Sequence, residues 1–250
     1  NALNVFACTC LAARTSSGKP ITDKIPKSMV EVNGTPLLKN TLNNLVDCGI
    51  NDIGIVVGHK AEYIKNAIGD SYKDARITYF ENERYLTTNN VVSLYVAEQF
   101  MDDDVLLLEC DIYYKKEMLE KLIQGKGDCS ILVSPFNKDV MDGTVIRVSE
   151  QDKAEDLILG KWQDEDFDYS STRKTVNLYK FTKHFVKDLY MPLIKWYVQN
   201  MSENNYYEKV LGLLLYLKEC DIRVVEVPSD MWCEIDDVDD LQRARRLFGE

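Results

Sequence analysis

Short apolar runs and segments of helical spacing alternate along the whole chain. Val5 to Thr9 is a run with β-branched and aromatic members and reads as a buried first strand feeding a polar loop. Pro36 to Cys48 places Leu37, Leu38, Leu42, Leu45 and Val46 at helical spacing, with Gly49 just past the end. Asp52 to Gly58 reads as a second buried strand, Ala61 to Ile68 as a helix, Arg76 to Phe80 as a strand and Val91 to Phe100 as a helix. Val105 to Glu109 is an apolar strand delivering a polar pair, Cys110 and Asp111; Lys115 to Ile123 returns as a helix and Ser130 to Ser134 as a strand. This alternation predicts right-handed parallel crossovers and an α/β fold: a doubly wound, mostly parallel mixed sheet flanked by helices. Ligands in such folds sit at the carboxyl ends of the strands.

After about Pro135 the pattern changes to longer strands with turn signals, at Gly143 to Val148, Asp156 to Leu159 and Lys174 to Phe181. Helices are predicted over Thr182 to Gln199 and Asn205 to Lys218, then a strand over Ile222 to Val227 and a closing helix over Val238 to Phe248. The last helix has Asp239 and Asp240 near its start and Arg243, Arg245 and Arg246 toward its end, an order that suits its dipole. Without an internal repeat or low-complexity linker, the chain is expected to be a single domain. Residues 1–134 form one half, and residues 135–250 form a substrate-covering insertion on the same core.

The 250 residues, 45% hydrophobic and 28% charged, suffice for one sizeable core. A net charge of −11 argues against a broad nucleic-acid surface or an anionic membrane. No apolar run reaches the length of a membrane span, and the stretch from Asn1 to Ala12 lacks the pattern of a signal peptide, so a cytoplasmic location is expected. Cysteines 8, 10, 48, 110, 129, 220 and 233 show no Cys-x-x-Cys spacing and read as reduced core thiols. One local exception to the acidity stands out. Between Arg14 and Lys27, four cations (Arg14, Lys19, Lys24, Lys27) face only Asp23, either as a solvated surface loop or as a seat for a small anion.

Three carboxylates carry the candidate chemistry. Asp111 stands at the end of a buried strand, where ligands bind; the alternative reading is a cap on the next turn. Glu234 and Asp236 point to one side of an extended segment with Ile235 turned away; the alternative is acidic charge at a helix start. Together these hard oxygen donors match what magnesium takes when it is shared with substrate phosphates. Attack on a nucleotide α-phosphorus brings one anion against another, so fixed cations and a metal are what that chemistry needs.

Several segments, in this order, carry a family resemblance. They are Pro26-Lys27 with Val32-Asn33-Gly34-Thr35-Pro36-Leu37, Thr88-Asn89-Asn90-Val91-Val92-Ser93-Leu94 and Glu109-Cys110-Asp111. Further on come Met141-Asp142-Gly143-Thr144, Lys174 to Phe181, Asn204-Asn205-Tyr206-Tyr207-Glu208 and Trp232 to Asp237. Over nearly its whole length the chain resembles the nucleotidyltransferases with a Rossmann-like core, most closely the phosphocholine and 2-aminoethylphosphonate cytidylyltransferases. The resemblance implies CTP as donor, a small phosphonate or phosphate acceptor, and Mg2+ as cofactor. It also implies Lys27, Asp111 and Asp236 as catalytic residues, with the metal on Asp111, Glu234 and Asp236. Nucleotide contacts fall to Leu11, Ala12, Ala13, Arg14, Lys19, Lys27, Asn89, Asn90 and Ser93. Acceptor contacts fall to Tyr85, Tyr113, Asp142, Lys174, Asn177 and Trp232, the aromatic three offering cation-π surfaces to an ammonium or else belonging to the core. Some phosphonate-pathway relatives are fused to aminotransferase domains, so a fused or associated aminotransferase, and a homo-oligomer, are compatible partners.

The chain departs from the family in one place. Members carry a Leu-Ala-Ala-Gly-x-Gly-x-Arg loop after the first strand, whereas here Leu11-Ala12-Ala13-Arg14-Thr15-Ser16-Ser17-Gly18-Lys19 lacks both glycines and the arginine at their places. Losing glycine restricts close backbone approach to a triphosphate. Two rival expectations follow: a catalytically silent nucleotide-binding module, and a sugar-1-phosphate nucleotidyltransferase, against which the Asn89-Asn90 segment argues.

Overall fold

A computed structural model of the chain describes residues 4–8 and 25–249. Strand β1 (Asn4–Cys8) is followed in the described chain by a two-strand ribbon, β2 (Glu31–Val32) and β3 (Thr35–Pro36), and by helix α1 (Leu37–Asp47). Then come β4 (Asp52–Val57), α2 (Ala61–Ile68), β5 (Ser71–Tyr72), β6 (Ala75–Glu81) and α3 (Asn90–Val96). The middle of the chain supplies β7 (Val105–Glu109), β8 (Ile112–Tyr114), α4 (Lys116–Ile123) and β9 (Cys129–Pro135). The rest runs β10 (Val145–Val148), β11 (Ala154–Ile158), β12 (Thr172–Phe181), α5 (Met191–Asn200), α6 (Tyr207–Leu217), β13 (Ile222–Glu226), β14 (Trp232–Glu234) and α7 (Val238–Leu247).

The main sheet is mixed. Its parallel centre runs β7-β1-β4-β6, and β12 joins β7 antiparallel, carrying β10 and β11 beyond it and β9 with β13 on a branch. Helices cover both faces, and strand alternation explains how. In β7, Leu106 and Leu108 pack into the core with α1, α2 and α4, while Val105 and Leu107 pack into the core with α3, α5 and α6. Each of these leucines is fully buried and contributes roughly 1.5–3 kcal/mol. A smaller cluster under α7 joins Val30, Val32, Leu37, Ile235 and Leu241. The two halves of the chain share one sheet, because β12 is bonded to β7 along Leu178 to Phe181.

Three departures from the sequence pattern have local causes. The helix expected to Phe100 stops at Val96 and tightens into a 3-10 turn over Glu98–Phe100. The helix expected from Thr182 opens with a wide π turn over Phe185–Tyr190; α5 proper starts at Met191, where Pro192 in the first turn needs no hydrogen-bond acceptor. The strand β8 lies between the predicted strand and helix, where the pattern predicts no element; it pairs with β14, Tyr113 opposite Cys233, and so brings the segment after Asp111 to the segment around Glu234.

Among the described residues no helix is long and apolar enough to cross a membrane. The cysteines at 48, 110, 129, 220 and 233 are free thiols.

Candidate active site

The strand β12 passes two neighbours on one edge. β7 pairs with it from Leu178 onward and β10 pairs with it at Thr172 to Lys174. Between these pairings β12 shifts register around Asn177, which sits at φ 59 in the left-handed region. The fork so opened lies at the carboxyl end of β7, and a cavity of about 360 Å³ fills it. Thr175 closes one side by bonding to the Thr144 carbonyl, through its amide (3.1 Å) and its hydroxyl (3.0 Å). Asn177 closes the other, donating from Nδ2 to Glu109 Oε2 at 3.0 Å.

Five carboxylates line this cavity, those of Glu109, Asp111, Glu208, Glu234 and Asp236, against the ammoniums of Lys27, Lys161 and Lys174. Lys27 follows Pro26 at the start of a 3-10 turn whose next residues, Ser28 and Met29, are buried. Its Nζ lies 3.0 Å from Asp111 Oδ2 and 2.7 Å from Asp236 Oδ1. Burial works against the Lys27 charge, but Asp111 and then Asp236 outweigh it and hold its pKa above the ordinary lysine value. Asp111 Oδ1 is buried and has no hydrogen-bond partner among the described residues, a costly condition for a carboxylate oxygen. The Asp111 carbonyl accepts from the Ile235 amide at 2.9 Å, which locks the β7 end to the segment carrying Glu234 and Asp236. An Asp237 capping box then starts α7 immediately behind Asp236.

Lys174 is 2% exposed and directs Nζ to the Thr175 carbonyl at 3.0 Å and to Glu234 Oε2 at 3.5 Å. Space for it exists because Gly143, at φ +87, has no side chain; a Cβ there would lie 3.3 Å from Lys174 Nζ. Burial pushes the Glu234 carboxyl up to about 7, Lys174 resisting and Asp111 and Asp236 adding to the push. Glu208 is likewise raised by burial to about 7, against its own backbone bond and the Asn90 amide. Burial, then Asp111 and Glu208, lift Glu109 well above the carboxylate range, although it accepts from the Tyr207 hydroxyl at 2.7 Å.

The structure therefore brings together Lys27, Asn90, Asp111, Lys174, Asn177, Glu234 and Asp236 from the residues singled out in the sequence. Asn89 caps α3 and bonds the Asn90 amide, while Ser93 is buried on the same helix against Asn82. Leu11, Ala12, Ala13, Arg14 and Lys19 lie outside the described residues. The aromatic residues do not assemble into a cage. Tyr85 packs toward His59 with ring centroids 5.9 Å apart, Tyr113 packs on Phe248 at 4.8 Å, and Trp232 is buried in the core beneath α1 and α4. Asp142 is exposed and lines a wider neighbouring groove of about 810 Å³, which meets the cavity at Glu234 and Asp236. Among the described residues no group of three His, Cys, Asp or Glu side chains is already assembled to hold a metal; ammoniums lie between the acids instead. Sequence reasoning missed Glu109 and Glu208 as site residues. The signal was a charged residue closing the apolar strand β7 and another opening the apolar helix α6, both buried.

A family model described as the MobA-like NTP transferase domain matches residues 17–177. The chain is 29% identical to the CMP-5'-(3-aminopropyl)phosphonate synthase of Streptomyces rubellomurinus over 93% of its own length, and it spans only 37% of that protein. It is 26% identical to the CTP:phosphoglutamine cytidylyltransferase of Campylobacter jejuni, covering 89% of this chain and 92% of that one. The solved structure of the CTP:phosphocholine cytidylyltransferase of Streptococcus pneumoniae superposes with a TM-score of 0.74 at 19% identity, over 99% of both chains.

Proposed function

The chain belongs to the MobA-like NTP transferase domain family, and from that premise we propose that it is a cytidylyltransferase moving CMP from CTP to a small phosphonate or phosphate acceptor. An acceptor oxygen attacks the α-phosphorus; the new phosphorus–oxygen bond forms as the bond to the β-phosphate oxygen breaks, and pyrophosphate leaves with that electron pair. The observation that carries this reading is Lys27 held between Asp111 and Asp236 at the carboxyl end of a parallel strand. No side chain is required as a covalent nucleophile, so positioning and charge neutralisation are the protein's work.

Lys27 contacts the triphosphate, and Lys174 and Lys161 receive the acceptor's anionic group. Asp111, with its unpartnered buried oxygen, and Asp236 supply the hard donors that fit Mg2+, with Glu234 beside them. When bound, that ion would offset negative charge on the phosphates.

An acceptor of the 2-aminoethylphosphonate type is preferred over phosphocholine. Support comes from the cavity's makeup: buried Glu208 and Glu109 suit a primary ammonium that donates hydrogen bonds, whereas a quaternary ammonium calls for the aromatic cage that Tyr85, Tyr113 and Trp232 do not form. Two of the relatives named above, by name a CMP-5'-(3-aminopropyl)phosphonate synthase and a CTP:phosphoglutamine cytidylyltransferase, agree with that class.

The test is incubation of the protein with MgCl2, CTP or UTP, and each acceptor, while pyrophosphate is measured. Release with CTP and 2-aminoethylphosphonate in excess of the other pairs is expected. Faster release with UTP and a sugar 1-phosphate would reverse the choice, and CTP binding without release from any acceptor would make the chain a binding module.

A further inference from the structure

We propose that Lys27 is an internal counter-ion that keeps a divalent cation off the Asp111 and Asp236 carboxylates until a nucleoside triphosphate draws the lysine away, so that metal and nucleotide bind cooperatively. The inference rests on the reading of this cavity as a nucleotide and metal site.

The starting observation is occupancy of the carboxylates by the protein's own cations. Lys27 Nζ is within 3.0 Å of Asp111 and 2.7 Å of Asp236, and Lys174 Nζ is 3.5 Å from Glu234. Acids that would share one ion are thus divided between two ammoniums, and no three-residue metal group is preassembled among the described residues. A divalent cation arriving alone would have to break both Lys27 contacts and leave that ammonium, only 14% exposed, without a partner. An uncompensated charge in such a place is strongly unfavourable.

A triphosphate changes the balance, because its oxygens are a better partner for the same ammonium. The backbone need not move for the exchange. Lys27 is anchored by the Met29 amide on the Pro26 carbonyl (2.9 Å) and the Val30 amide on its own carbonyl (3.0 Å), so a change of side-chain rotamer carries Nζ from the acids toward the cavity. Its departure frees Asp111 Oδ2 and Asp236 Oδ1, while Asp111 Oδ1 is buried and unpartnered already. Among the described residues Asp111 and Asp236 have no ion-pair partner besides Lys27, so its departure raises their affinity for a cation at the moment the nucleotide is in place. Linkage makes the effect reciprocal: whatever the nucleotide adds to metal affinity, the metal adds to nucleotide affinity.

A lysine that only clamps phosphate makes a different prediction for the nucleotide-free protein, and Mn2+ is the probe that separates the two. Free Mn2+ is followed by electron paramagnetic resonance against wild type, Lys27→Met and Lys27→Arg, without nucleotide. Lys27→Met should bind Mn2+ about ten-fold more tightly than wild type, a coupling of ordinary size, and Lys27→Arg should bind as weakly as wild type. Equal or weaker Mn2+ binding by Lys27→Met overturns the proposal. Should that variant not fold, wild type alone decides by water-proton relaxation: enhancement that needs CTP supports the counter-ion, and a saturable micromolar Mn2+ site without CTP refutes it. CTP that binds neither wild type nor variants with any metal sinks the functional reading itself, whereas normal CTP binding with unchanged Mn2+ affinity overturns this inference alone.

Discussion

Lys27 Nζ and Asp236 Oδ1, 209 positions apart in the chain, meet at 2.7 Å across the mouth of the cavity. Three separate segments have to be folded for that contact: the turn after Pro26, the end of β7 that carries Asp111, and the lead-in to α7. The contact exists because β8 pairs with β14 and the Asp111 carbonyl bonds the Ile235 amide.

Replacing Asp236 with Asn should lower turnover by at least about a hundred-fold, since a hard oxygen donor for the Mg2+ that offsets phosphate charge is lost. Its side chain is 37% exposed, so the stability change should stay within about 1 kcal/mol. Steady-state pyrophosphate release and a urea melt check the two halves. Near wild-type turnover would remove Asp236 from the site.

Glu208 gives a pH dependence of stability. Its folded value, about 7, lies above the ordinary 4.5 because of burial, so the folded state holds the proton more tightly than the unfolded chain. The stabilising contribution is therefore complete below pH 4.5 and lost as the pH rises through 7. Glu208→Gln keeps the shape without the ionisation. Thermal melts of the unliganded proteins should show wild type losing stability relative to the variant between pH 5 and pH 8, by on the order of 3 kcal/mol. Parallel curves would contradict the assignment.

Lys174 resists the rise of Glu234, which stands at about 7. In Lys174→Met that resistance is gone, and the Glu234 midpoint should move to higher pH. Carboxyl 13C NMR of the metal-free protein reads it directly. An unchanged midpoint would mean that the 3.5 Å approach is electrostatically idle in solution.

Gly143→Ala tests the fork. Its φ of +87 is unfavourable for alanine, and the new Cβ would crowd Lys174 Nζ at 3.3 Å. A destabilisation of about 1 kcal/mol is expected, with the Michaelis constant for the acceptor rising while that for CTP changes less. Wild-type kinetics would show that Lys174 has other room.

The parts of this architecture set by local pattern are legible in the sequence. An unbroken apolar run gave β7, and helical spacing gave α2 from Ala61 to Ile68 without an error at either end. Asp111, Glu234 and Asp236 stand out in the sequence because each ends or follows such an element, and the structure brings them to one cavity. What the pattern does not carry is the fork beside β12, since the shift in register around Asn177 depends on a left-handed backbone at a residue other than glycine. Glu109 and Glu208 were overlooked because period and charge disagree there: each is a charged residue on an apolar element, and only tertiary packing brings both to the same cavity. Tyr113 and Trp232 pack into neighbouring cores rather than lining the cavity, Trp232 also bordering the wider groove beside it.

Phosphorus NMR of a reaction containing the protein, MgCl2, CTP and 2-aminoethylphosphonate tests the central claim most directly. The account predicts a coupled pair of signals, one phosphonate and one phosphate, growing in step with pyrophosphate and absent when Asp111 is replaced by Asn. Unchanged CTP and phosphonate signals from folded protein, with phosphocholine and sugar 1-phosphates equally inert, would contradict it.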